Sequence, residues 1–219
     1  MARIVIFGTG DIARLAHFYF KRDSPHEVVG FTVDAAFRTS DTFEGLPLVA
    51  FESVATAFPP SEYGMFIALA YGRMNHLRAE RYTQAKAAGY TLVSYVSSRC
   101  TFLSDHPVGD NCFILEDNTI QPFVKIGSNV TLWSGNHIGH DSTIEDHCFL
   151  ASQIVVSGRV VIKPFCFIGV NATLHNAITI APETLIGAGA VITKDTEPKG
   201  VYVPRRAERM PKSSDEIEM

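Results

Sequence analysis

The sequence has no apolar run approaching the roughly 18 residues a membrane-spanning helix needs. Its opening, MARIVIFGTGDIARL, brings in glycine and aspartate too early for a secretory signal. These absences predict a cytoplasmic protein. Lysine and arginine total 19 against 23 acidic residues, scattered rather than clustered, for a net charge of −4. That distribution leaves no electrostatic footprint for nucleic acid or an anionic membrane surface. The four cysteines, Cys100, Cys112, Cys148 and Cys166, form no C-x-x-C pair, which removes a zinc ribbon or a dithiol redox motif. What is present is 46% hydrophobic residues in a chain of 219, enough for one sizeable core or two modest ones.

The first hundred residues alternate between two periods. RIVIFGTG reads as a buried strand, DIARLAHFYFKR as a helix, EVVGFTVD as a strand, FESVATAF as a short helix and GMFIALAY as a strand. MNHLRAERYTQAKAAG then reads as a helix and YTLVSYV as extended. A β-α-β alternation implies a parallel sheet with helices on its faces, so residues 1–100 are predicted to form an α/β, Rossmann-like half.

From residue 108 the period becomes six. VGDNCF, ILEDNT, IQPFVK, IGSNVT and their successors, through ITKDTE, make 15 hexads that all begin with Val, Ile or Leu, without an insertion. Neither a 3.6-residue helix nor a period-2 hairpin gives this pattern. A parallel β-helix with three short strands per coil does, each sixth residue turning one corner inward. Three hexads make a coil of 18 residues, so 108–197 holds five coils, and 101–200 is predicted to be all-β, followed by a tail, 201–219. The fifth place of each hexad shares the interior and should be small. Cys112, Cys148 and Cys166 fall there, 18 residues apart or a multiple of it, and read as core filling. The flat faces of such a prism suit packing between subunits.

Three groups of residues carry possible chemistry. In FGTGDIA, Gly8, Gly10 and Ala13 are spaced like a G-x-G-x-x-A phosphate turn at a helix N-terminus, and Asp34 ends the second strand where a ribose carboxylate sits. A tight turn without a ligand is the alternative. A nicotinamide dinucleotide would need a second mononucleotide half, which the chain lacks. Asn75 and Arg78 follow the strand FIALAY at the carboxyl edge of the sheet, where Arg78 either faces a phosphate or lies solvated on a helix surface. The third group is His140 and Asp141. With 18 residues per coil, Gly158 lies one coil above His140 and Arg159 above Asp141. A histidine takes a proton near neutral pH, Asp141 can fix its tautomer, and a glycine N–H one coil away can face a carbonyl oxygen that becomes an oxyanion. Periodicity alone leaves His140 as either this base or a hydrophilic turn residue. Stacked zinc-binding imidazoles would need separations of 18 or 36, whereas His137, His140, His147 and His175 are separated by 3, 7, 10, 28, 35 and 38, so no metal is expected.

Together, the glycine turn, the uninterrupted hexads, IGHDSTI and VVSG resemble the hexapeptide-repeat sugar acyltransferases of the sialic-acid O-acetyltransferase type. More narrowly, they are similar to bacterial N-acetyltransferases acting on nucleotide-linked amino sugars for surface glycans (lipopolysaccharide, capsule or glycoprotein). The resemblance implies a left-handed β-helix, a homotrimer with sites between subunits, and acetyl-CoA as co-substrate. It implies His140 as general base, Asp141 as its support and Gly158 as the thioester contact. For CoA it implies Phe167, Ile168, Gly169, Val170 and Asn171 in FIGVN, and Gly187, Ala188 and Gly189 in IGAGAV. The family's end motif G-x-P-A-[KR] is replaced by VPRRAERM, where Arg205 and Arg206 stand in for phosphate contacts. For the nucleotide sugar it implies Gly8, Gly10, Asp11 and Asp34, beside Asn75 and Arg78 from the sheet-edge reading. Two alternatives stay open: O-acetylation of a sugar hydroxyl, and a non-catalytic β-helix scaffold with a nucleotide-sensing domain.

Overall fold

A computed structural model describes residues 2–217. Its N-terminal part is a five-stranded sheet of β1 (Arg3–Phe7), β2 (Glu27–Val33), β3 (Thr42–Phe43), β4 (Leu46–Ala50) and β5 (Tyr63–Ile67), in the order β3-β4-β2-β1-β5. All neighbouring pairs are parallel except β3 with β4. Helices α1 (Asp11–Asp23), α2 (Val54–Ala57) and α3 (His76–Ala87) complete it. The β3–β4 hairpin departs from the sequence reading. Pro47 interrupts its apolar pattern, and proline is tolerated there because the bond on the β3 side comes from Leu48 N–H and β4 pairs with β2 only from Leu48 onward, so no ladder bond is asked of the Pro47 nitrogen. Glu44 and Gly45, both at positive φ, make the turn that joins it.

The hexads behave as the period demands. Two-residue parallel strands recur every six residues from Phe113–Ile114 to Val191–Ile192 and stack into three faces. The first face runs through Phe113–Ile114, Thr131–Leu132, Phe149–Leu150, Phe167–Ile168 and Leu185–Ile186. The second includes His137–Ile138 and Val155–Val156, and the third Thr143–Ile144 and Val161–Ile162. Every hexad-opening residue from Ile114 to Ile192 is buried, as is every fifth-place residue from Cys112 to Ala190. The fourth place, from Asn111 to Gly189, always has positive φ, so each coil turns its corners through a left-handed residue.

Cys112, Cys148 and Cys166 are fully buried, and their Sγ atoms donate to the carbonyls of Gly127, Lys163 and Ala181, each at 3.1 Å. Burial pushes the Cys112 thiol up to about 12. The β-helix begins earlier than the hexads: Tyr95–Val96 already pairs with Phe113–Ile114 on the first face.

The halves share a core. Ile4, Ile6, Ala16, Phe20 and Phe66 pack with Tyr95, Phe113 and Leu115 of the first face. At the end of α1, Asp23 Oδ2 accepts from the Tyr95 hydroxyl (2.7 Å), Ser97 Oγ (3.2 Å) and Ser98 N–H (2.9 Å). The Ser98 side chain leads in holding this carboxyl at about 2 rather than 3.8, with the Tyr95 hydroxyl, the Ser98 N–H and the Ser97 hydroxyl adding to it. A folded value below the unfolded one means that the stabilisation is present above about pH 4 and is lost as pH falls toward 2. Asp23→Asn is therefore expected to lower stability at pH 7 by about 1 kcal/mol, discounted because water screens a half-buried carboxylate. In urea titrations the gap between variant and wild type should close toward pH 2.

Candidate active site

His140 and Asp141 occupy the third and fourth places of their hexad, on the edge between the second and third faces. Asp141 takes the left-handed turn position (φ 58°), which aspartate tolerates better than most side chains. Its Oδ2 accepts from His140 Nδ1–H at 2.8 Å, with both side chains about half exposed. That bond fixes the tautomer and leaves the lone pair on Nε2. The His140 backbone is held from two sides: its N–H donates to Gln121 Oε1 (2.9 Å) and its C=O accepts from Arg159 N–H (2.8 Å). The second bond shows that the 18-residue register holds at this edge.

The imidazole lies over Gly158. A Cβ at Gly158 would come within 2.6 Å of Nε2 and 2.8 Å of Cε1, so only glycine lets the ring rest there. Gly158 C=O accepts from Ala177 N–H (2.9 Å), while its own N–H makes no hydrogen bond among the described residues. A lone pair on Nε2 and an unspent N–H thus share one exposed edge. That pairing can take a proton from an attacking group and donate to an oxygen gaining charge.

The other residues singled out from the sequence lie elsewhere. Gly8 (φ 124°) makes the tight turn after β1, where a Cβ would meet Ala68 O at 2.8 Å, and open space surrounds Gly10 at the start of α1. Asp11 lines a groove of about 450 Å³ along α1 and pairs with Arg14 at 3.7 Å. Asp34 follows directly on β2, with its carboxylate on Arg81 at 2.6 Å.

Two expectations are corrected. Arg78 neither faces a phosphate nor lies in solvent. It is 2% exposed, and its guanidinium donates to Asn129 Oδ1 and to the carbonyls of Leu69, Ala70, Asn129, His147 and Cys148, at 3.1–3.5 Å. Its Nη1 bonds hold the segment after β5 at Leu69 and Ala70, its Nε and Nη2 bonds join α3 to the edge between the third and first faces, and burial lowers its pKa to about 10. Asn75 is fully buried beside it, donating to the carbonyls of Phe165 and Cys166. Both join the halves because hexad turns present outward carbonyls to the helix packed on them.

Phe167, Gly169, Val170 and Ala188 line a cleft of about 380 Å³ with Ile12, Tyr71, Trp133 and Phe149. The Tyr71 ring sits 5.0 Å from Phe149 and 4.7 Å from Phe167. This cleft runs between the N-terminal part and the first face. Ile168 points inward and is fully buried, Asn171 takes a turn position (φ 58°), and Gly189 turns at φ 72°. Gly187 packs under Val203, and Arg205 and Arg206 lie exposed in the tail. Tyr71, Trp133 and Gln121 were not anticipated. The sole tryptophan and the spacing of 18 between Phe149 and Phe167 were the available signals, whereas Tyr71 stands in a loop without period.

Within one chain, His140 stands on the edge opposite the first face, which the N-terminal part covers. One chain therefore does not bring base and cleft together. Among the described residues no group of three His, Cys, Asp or Glu side chains is placed to hold a metal ion, and no helix is long and apolar enough to cross a membrane.

The family description "Bacterial transferase hexapeptide (six repeats)" matches residues 108–140, beginning where the hexads begin. No curated protein matches the chain by sequence. Solved structures do match. A histidine variant of perosamine N-acetyltransferase from Caulobacter crescentus, in complex with CoA and GDP-perosamine, superposes with TM-score 0.82 at 20% identity, covering 93% of this chain and 94% of that one. This chain shares its fold. WeeI from Acinetobacter baumannii AYE follows at TM-score 0.78 and 18% identity, covering 93% and 97%. The acetyltransferase domain of PglB from Neisseria gonorrhoeae FA1090, in complex with acetyl coenzyme A, gives 0.62 at 17% identity, covering 95% and 98%.

Proposed function

We propose that the protein transfers the acetyl group of acetyl-CoA to the amine of a nucleotide-linked amino sugar destined for a surface glycan. The observation that carries this reading is the His140–Asp141 pair with Nε2 resting on Gly158, whose N–H is unspent. The similarity in fold to proteins bound to CoA, GDP-perosamine and acetyl coenzyme A supports it. As the amine lone pair forms its bond to the thioester carbonyl carbon, His140 Nε2 takes the amine proton. Gly158 N–H donates to the carbonyl oxygen as charge gathers there. When the carbon–sulfur bond breaks, the imidazolium returns its proton to the departing thiolate, so the products are the amide and CoA thiol.

The reading places each site between copies of a homotrimer. An acceptor held near Gly8, Gly10, Asp11 and Asp34 of one copy meets His140 of another, since each chain's own base lies on its far edge. Phe167, Gly169, Val170, Asn171 and Gly187 to Gly189 are assigned to the donor from the facing edge, with Arg205 and Arg206 near its phosphates, whereas Ile168 is spent in the core. Cytoplasmic supply of both substrates completes the reading.

Gly158→Ala is expected to keep the fold, because the displaced atoms are the end of a half-exposed imidazole. Pushing Nε2 aside should lower turnover roughly 10²-fold in steady-state assays. The reading itself is tested with UDP-, GDP- and dTDP-linked amino sugars and their hydroxyl counterparts, following thiol release from acetyl-CoA. Release with an amino sugar is expected. Release with hydroxyl sugars alone would assign O-acetylation instead. No release, together with no thermal stabilisation by acetyl-CoA, would leave a scaffold; a bound ligand at 100 times its Kd adds about 2.7 kcal/mol.

A further inference from the structure

Below the His140–Asp141 pair lies an exposed aromatic ring that the scaffold does not explain. Phe123 fills the fourth place of IQPFVK, 57% exposed, with φ 67°, a left-handed backbone that disfavours a bulky side chain. It stands one coil beneath Asp141, whose N–H donates to Pro122 O at 3.2 Å, while Gln121 Oε1 accepts from His140 N–H at 2.9 Å. Phe165 is the other phenylalanine in a left-handed corner, and it is covered: His76 stacks on it at 4.3 Å and 14°, and His147 lies at 4.8 Å. Nothing in its own chain covers Phe123 in this way among the described residues.

We propose that Phe123 is a specificity-determining residue, its ring the platform on which the C–H face of the acceptor's sugar ring stacks while His140 takes the amine proton. This rests on the acetyl-transfer reading. The unspent N–H of Gly158 lies one coil above, so the thioester carbonyl belongs on that side, while the acceptor brings its amine to Nε2 from the open outer side of the edge, whose lower end Phe123 borders. Adjacent coils are about 4.8 Å apart, roughly the width of a sugar ring, so an acceptor resting on Phe123 presents its amine at the level of the imidazole. A sugar ring has an apolar C–H face and a polar rim. A flat aromatic surface holds the first while leaving the rim free.

The test compares wild type, Phe123→Gly and Phe123→Tyr in steady-state assays with acetyl-CoA and UDP-, GDP- and dTDP-linked amino sugars, alongside thermal melts and gel filtration. Phe123→Gly should raise the acceptor KM roughly tenfold, leave the acetyl-CoA KM within about twofold, and melt no lower than wild type because glycine suits the left-handed corner. Phe123→Tyr should restore the acceptor KM. An unchanged acceptor KM in an active glycine variant overturns the proposal. So does a changed oligomeric state, which would assign the ring to a contact between copies. A wild type that turns over no acceptor overturns the acetyl-transfer reading itself, and this inference with it.

Discussion

Replacing His140 with alanine is expected to reduce acetyl transfer by about 10²–10⁴-fold while the protein melts at its normal temperature, because a positioned general base contributes that much to such a step. The fold should survive because the imidazole is half exposed and the backbone around it is held by bonds the substitution keeps, from His140 N–H to Gln121 and from Arg159 N–H to His140 C=O. Stopped assays with acetyl-CoA and an accepted amino sugar give the rate, and circular dichroism gives the fold. His140→Ala that turns over at a near-normal rate would contradict the assignment. Asp141→Asn makes a milder companion: it keeps the left-handed corner but weakens the bond that selects the tautomer.

The second large effect is on stability. Arg78→Met keeps most of the side chain's apolar volume and removes every donor, leaving Asn129 Oδ1 and five backbone carbonyls without that partner. Asn129 Oδ1 keeps the Asn111 side-chain amide and Cys148 C=O keeps Thr131 N–H, so the carbonyls of Leu69, Ala70, Asn129 and His147 are the ones left unpaired; at about 1–3 kcal/mol for each buried group, even partial relaxation should leave a loss of about 3 kcal/mol or more. For a chain of this length that is roughly 6–12 °C in Tm, measured by calorimetry. A melting temperature within a degree or two of wild type would show that the guanidinium does not join the halves as its bonds suggest.

The β-helix was legible to the individual residue because its period is its structure. Each sixth residue turns inward, each fourth place turns left-handed, and the spacing of 18 that put Gly158 above His140 is the spacing of the ladder itself. The same arithmetic contained a further result. Gly169 and Gly187 differ from His140 by 29 and 47, neither a multiple of 18, so the period already placed them on a different edge from the base. Arg78 and Asn75 were not legible, because which face of α3 meets the β-helix depends on packing between segments 51 to 91 residues apart. The aromatic cleft was half visible. Phe149 and Phe167 keep the period, but Tyr71 joins them only through the way the two halves dock.

Acetyl-CoA carrying a labelled acetyl group, incubated with a nucleotide-linked amino sugar and either wild type or His140→Ala, tests the account most directly when the sugar is recovered and analysed by mass spectrometry. The account predicts label on the amine nitrogen with wild type and a hundredfold or greater slowing of its appearance with the variant. Label appearing equally fast with both proteins, or with neither, would contradict it.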